Sequence, residues 1–258
     1  MAEEGTLHYD PDKNYDEETL AQQRIIEKQI AGTQDFVTER LDFSVLEQEY
    51  AEDPVYIKKV RSLKSKYLCL RKTRGDGNCF YRAFGFAYFE KLLEDQEEFN
   101  RFRDVASKSK DVLVSLGFPQ FTIEDFHDTF MEVVDKVGSQ CPLEELHKIF
   151  NDQGYSDYLV VYLRLLVSGH LQKEADFFSN FVEGDRTIKE FCNQEVEPMG
   201  KESDHIHIIA LTAVTGVSVR VEYMDRGGET TNAHDFPDGS TPKIALLYRP
   251  GHYDILYT

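Results

Sequence analysis

The chain has 258 residues, enough for one large domain or two small ones with a substantial core. Apolar residues make up 41% and charged residues 29%, which is ordinary for a globular protein, but the formal charge of −18 is not. Such an acidic balance argues against nucleic acid and anionic membranes as partners and suits a basic protein or peptide tail.

Residues 1–35 read as an arm ahead of a single domain over residues 36–258. Its first dozen residues are polar. Residues 16–31 (DEETLAQQRIIEKQIA) then have helical character: acidic residues lead, Leu20, Ile26 and Ile30 form a narrow apolar stripe, and Gly32 ends it. Such a helix either lies on the domain or docks on a partner. Residues 41–50 and 56–66 predict two helices separated by Asp53-Pro54, and residues 67–72 a short strand.

That strand runs into Gly75-Asp76-Gly77-Asn78-Cys79, after which residues 80–93 predict a mostly buried helix. The thiol of Cys79 thus falls at the first turn of a helix. There, unpaired N–H groups and the macrodipole favour the thiolate, the reactive species. Gly75 and Gly77 permit a tight turn that gathers successive N–H groups, so the amides of Asp76 and Cys79 are expected to serve an oxyanion.

Residues 100–193 are largely helical. The apolar run at residues 157–167 contains Arg164, is too short to span a bilayer and is expected to stop by Gly169; residues 175–182 predict a further helix. Residues 204–214 predict an apolar helix closed by Gly216, and residues 217–223 and 243–248 read as strands. Arg249-Pro250-Gly251 is a turn, and residues 252–257 (HYDILY) are a final strand. His252 and Asp254, two apart on it, share a face, with Tyr253 turned to the core. Helices carrying a nucleophile and a terminal hairpin carrying a base imply an α+β fold and thiol-based hydrolysis, with Cys79 as nucleophile, His252 as base and Asp254 orienting it.

Other candidates are weaker. Cys69, Cys79, Cys141 and Cys192 lie far apart with no C-x-x-C pair, so no metal site, disulfide framework or cofactor is expected. The pattern suits a reducing compartment, and with an acidic, polar N-terminus the expected location is the cytoplasm, with the nucleus as the second compartment. His205 and His207 point apart on their helix, and Cys69 and Cys192 read as packing residues. Glu202 and Asp204 could face the cleft.

Residues 72–84 (KTRGDGNCFYRAF) resemble the nucleophile loop of the ovarian-tumour (OTU) cysteine deubiquitinases, and more narrowly that of the otubains. The likeness returns at Ser156-Asp157-Tyr158, residues 162–166, 195–199 and 203–206, and closes over residues 247–257 (LYRPGHYDILY). The acidic-led arm is similar to the N-terminal extension of the otubain-1 type. The resemblance implies a papain-like fold, with a small antiparallel sheet packed among helices, and hydrolysis of the isopeptide bond between a ubiquitin C-terminal glycine and a lysine. It adds Asp76 to a site of Cys79, His252 and Asp254, and implies preference for the proteasome-targeting chain linkage. The implied partners are ubiquitin, polyubiquitin and ubiquitin-conjugating enzymes, the last inhibited without catalysis through the arm, by a protein expected to be a monomer. A non-enzymatic ubiquitin-binding regulator is the alternative. One departure is Gly75, where the otubain-1 type has proline, which could loosen the loop that carries the oxyanion amides.

Overall fold

The apolar run after Cys79 is so continuous that its helix has no wet face: in α3 (Cys79–Leu92) every residue but Lys91 is buried. The structure, a computed structural model, describes residues 34–258, of which Phe36–Thr258 form one compact unit. The helix predicted over residues 16–31 lies outside the described residues. Among the described residues two helices precede α3. The first, α1 (Ser44–Glu49), is shorter than expected because Leu41 bridges Leu70 in extended pairing instead. The second, α2 (Pro54–Lys64), begins two residues earlier than expected, because Asp53 and Pro54, which lie between the two helices in the sequence reading, start it. The Asp53 carboxylate accepts from the Val55 and Tyr56 amides at 3.0 and 3.2 Å, and Pro54 occupies the first turn.

Around α3 pack α4 (Gln96–Ser115), α5 (Gln120–Gly138), α6 (Leu143–Asn151) and α7 (Gln153–Lys173). Their aromatic side chains meet edge to face, as in Phe89–Phe130 at 5.6 Å and Phe86–Phe150 at 5.3 Å. Helix α7 does not stop by Gly169. A Cβ there would lie 2.5 Å from a Leu113 methyl, so this glycine lets α4 approach rather than ending α7. Next come the short α8 (Ala175–Phe178) and α9 (Ile188–Phe191), then α10 (His205–Thr215), which Gly216 terminates in the left-handed region at φ 69°.

The sheet has five strands in the order β1-β5-β4-β2-β3. They are β1 (Cys69–Arg71), β2 (Val219–Tyr223), β3 (Asn232–Phe236), β4 (Ile244–Arg249) and β5 (His252–Tyr257). An α+β architecture is present as expected, but the sheet is mixed rather than antiparallel throughout: β2 and β4 run parallel. The cause is β3, whose sequence NAHDF lacks apolar alternation and carries no strand signal. It returns antiparallel on the outer side of β2, so β4 must cross to the inner side and run in the same direction as β2. One face of the sheet packs on the main helical core; the other is covered by α1 and α2 through Phe43, Leu46, Val60 and Leu63 against Leu247 and Leu256. This leaves the start of α3 and the β4–β5 turn beside one another. Among the described residues, no helix is long and apolar enough to cross a membrane.

Candidate active site

Each residue of the loop ahead of α3 has a definable task. Gly77 has φ 74°, and a Cβ there would sit 2.1 Å from the Gly200 carbonyl oxygen, so no side chain fits. Asp76 Oδ1 accepts from the Asn78 amide at 3.0 Å, and both its oxygens accept from Arg82 Nη1 at 2.9 and 2.8 Å. Arg82 is fully buried and its Nε donates to Ser156 Oγ at 3.0 Å, which accounts for the Ser156-Asp157 element of the sequence pattern. Asn78 Oδ1 accepts from the Gly200 amide and from Arg164 Nη2, both at 2.9 Å. Asp76 is therefore engaged with Arg82 and the loop backbone. Its amide donates to the Arg74 carbonyl at 3.0 Å, so the pair of oxyanion donors expected from the sequence is reduced to Cys79. As the first residue of α3, Cys79 has no intrahelical acceptor for its N–H.

The strand register brings the base to this thiol. His252 and Asp254 are on one face of β5, while Tyr253 is buried against Phe80 at 5.2 Å. His252 Nε2 bonds Asp254 Oδ1 at 2.8 Å. Its other nitrogen, Nδ1, borders the loop, 3.6 Å from where a Gly75 Cβ would be, and the Cys79 side chain is near enough to act on the ring electrostatically. Burial lowers the pKa of His252, but Asp254 and Cys79 outweigh it and raise the value to about 9. Asp254 is wholly buried. Burial pushes its carboxyl up, yet His252 and Arg249 hold it below the usual carboxylate range. Its Oδ1 also accepts from the Thr73 amide at 3.0 Å and its Oδ2 from Arg249 Nη2 at 2.6 Å. Arg249 Nη1 in turn donates to Glu49 at 2.6 Å and to Tyr50 Oη at 3.1 Å.

A groove of about 690 Å³ is lined by Phe181, Glu195, Glu202, Asp204 and Ile209 among others. It adjoins the base: the Glu202 carboxylate lies 3.2 Å from where a Gly251 Cβ would be. Phe181 on its wall is 60% exposed and Phe177, packed against Phe181 at 5.3 Å, is 57% exposed, unusual for large apolar side chains. The two histidines of α10 do diverge. His205 stacks on Tyr223 at 5.2 Å, whereas His207 is buried, accepts from the Asp204 amide at 3.0 Å and is held neutral, its pKa lowered to about 4 by burial. All four cysteines are free, and burial pushes the Cys192 thiol up to about 11, which makes it inert.

Sequence reasoning brought Cys79, His252 and Asp254 forward but not the groups that hold them: Arg82, Arg164, Arg249 and Thr73. Arg164 did leave a signal, since a charge inside an otherwise apolar helical run must be solvated by something buried.

A thiol at a helix N-terminus facing a buried imidazole–carboxylate pair defines the cysteine hydrolases. The family profile described as Peptidase C65 Otubain matches residues 29–258. The chain is 61% identical over 245 residues to ubiquitin thioesterase OTUB1 of Homo sapiens, covering 94% of this chain and 90% of that protein. It is 39% identical over 221 residues to ubiquitin thioesterase OTUB2 of Homo sapiens, covering 86% and 94%. A solved structure described as the h/ceOTUB1–ubiquitin aldehyde–UBC13~Ub complex superposes with a TM-score of 0.89 at 37% identity, covering 95% of this chain and 99% of that one. The chain belongs to the peptidase C65 otubain family, and its class is that of the cysteine peptidases.

Proposed function

We propose that this chain is a deubiquitinating isopeptidase whose catalytic domain is residues 36–258. The observation that carries the reading is the position of His252 against both Asp254 and Cys79, beside an acidic groove with exposed phenylalanines. Cys79 attacks the carbonyl at the ubiquitin C-terminal glycine, and its own amide donates to the oxyanion. His252 passes its proton to the departing lysine amine, then draws one from the water that releases the thioester. Asp254 keeps the imidazole in the tautomer that serves the thiol, and Asp76 shapes the loop through Arg82 without reacting. Glu195, Glu202 and Asp204 suit ubiquitin's arginine-containing tail, and Phe177 and Phe181 offer its globular part an apolar seat. The test is cleavage of ubiquitin dimers: Cys79→Ala and His252→Ala abolish it with the fold intact, and retained cleavage by Cys79→Ala excludes the mechanism. A panel of dimers of each linkage checks the further expectation that the proteasome-targeting linkage is preferred.

A second, coexisting activity is inhibition of ubiquitin-conjugating enzymes without catalysis. It is supported by the structural relatives that are complexes with UBC13~Ub and UBCH5B~Ub. In this reading residues 1–35 are a partner-binding arm. Cys79→Ala then still inhibits ubiquitin transfer, and deletion of residues 1–31 does not. Equal inhibition by the truncated chain would remove the arm from the account.

A further inference from the structure

Arg164 is fully exposed to protein and not at all to water: its relative exposure is 0%. Among the described residues no carboxylate pairs with it. Its partners are neutral oxygens, drawn from both sides of the cleft. Nη2 donates to the Gly77 carbonyl at 2.9 Å, to Asn78 Oδ1 at 2.9 Å and to the Lys201 carbonyl at 2.7 Å, and Nη1 donates to the Val196 carbonyl at 3.0 Å. The guanidinium also lies over the Tyr81 ring at 4.5 Å. Gly77 and Asn78 are the two residues immediately before the nucleophile. Residues 196–201 lead into Glu202 and Asp204 on the groove wall. The two Nη groups of one guanidinium thus tie the nucleophile loop to the segment that leads into the groove wall, and these bonds to neutral oxygens are what offset the burial of the charge, Nε being unpartnered among the described residues.

The direction of those bonds matters for the chemistry. Arg164 donates to the Gly77 carbonyl while Asp76 takes the Asn78 amide, so the Gly77–Asn78 peptide plane, one before the plane that carries the Cys79 N–H, is held at both ends. The Cys79 amide follows it by one residue, Asn78, whose side chain is itself held by Arg164 and Gly200. We propose that Arg164 is a positioning residue for acyl transfer: it holds the Gly77–Asn78 backbone and the 196–201 segment in register, so that the Cys79 N–H meets the developing oxyanion. The inference rests on the isopeptidase reading but can fail independently of it.

Two reactions of the same sulfur separate the roles. Hydrolysis of a ubiquitin C-terminal thioester or amide needs an oxyanion donor; alkylation of Cys79 by iodoacetamide, a displacement at carbon, does not. Arg164→Lys keeps the charge but has one donor nitrogen in place of the two that reach Val196 and the Gly77, Asn78 and Lys201 oxygens. We expect kcat for hydrolysis to fall roughly 10- to 100-fold. KM and the Cys79 alkylation rate, read at that residue by mass spectrometry, stay within about twofold. Unchanged kcat overturns the proposal, and so does an equal fall in alkylation, because Arg164 would then act on the thiol itself. If Arg164→Lys shows no cooperative unfolding, Asn78→Ala, which removes one acceptor of the guanidinium, decides by the same two rates: a fall in kcat alone supports the proposal, and parallel falls or none refute it. A wild-type protein that alkylates but never hydrolyses refutes the isopeptidase reading instead.

Discussion

Asp254 has no exposure, and it is shared between two cations: His252 on one oxygen and Arg249 on the other. The consequence is a histidine that keeps its proton unusually far into the alkaline range, to about 9. In the proposed mechanism the imidazolium supplies the leaving-group proton, so turnover is expected to decline as pH rises through that value. Asp254→Asn removes the charge that holds the proton. Its kcat/KM profile should bend at least one pH unit lower, toward the ordinary histidine value of roughly 6.5, with kcat reduced less than in His252→Ala. An unchanged alkaline limb would remove Asp254 from the role given to it. The same shift is a stability term. A pKa raised on folding stabilises fully below roughly 6.5 and ceases to do so as pH climbs through the folded value. Wild-type thermal stability should therefore drop between about pH 6.5 and 9 by more than that of Asp254→Asn.

At the scale of elements, two glycines do opposite work and were not equally legible. Gly77 sits between turn residues and the thiol, a context that announces a tight loop. Gly77→Ala, meeting the Gly200 carbonyl at 2.1 Å, should abolish hydrolysis and lower the melting temperature. Gly169 gave the wrong signal: within an apolar run it looks like a helix stop, because sequence records the missing side chain but not the neighbouring helix that needs the space. Gly169→Ala would press on Leu113 and should cost about 1–3 kcal/mol by denaturant unfolding, with hydrolysis unaffected in the folded fraction. The strands divide in the same way. β4 and β5 were legible from apolar content and the intervening Pro250-Gly251 turn, and their hairpin delivers His252. β3 is polar and exposed on an edge, held by backbone bonds that leave no composition signature, and with it went the parallel pairing of β2 and β4. Cys79, His252 and Asp254 stood out along the chain because the proposed thiol chemistry demands particular residue types. The arginines that hold them did not, because any buried donor with the right reach would look the same along the chain.

For the whole molecule, the charge of −18 is the property visible from furthest away. Part of it is gathered where Glu195, Glu202 and Asp204 line the groove. If a cationic tail is drawn there, KM for ubiquitin substrates should rise with ionic strength across roughly 0.05–0.5 M salt, while kcat changes little. A salt-independent KM would leave the acidic wall without a part in recognition. The central claim is narrower and can be met by one experiment. Ubiquitin carrying a thiol-reactive group at its C-terminus should form a single adduct, located on Cys79 by mass spectrometry, absent in Cys79→Ala and strongly slowed in His252→Ala. No adduct, or an adduct on Cys69, Cys141 or Cys192, would contradict the account.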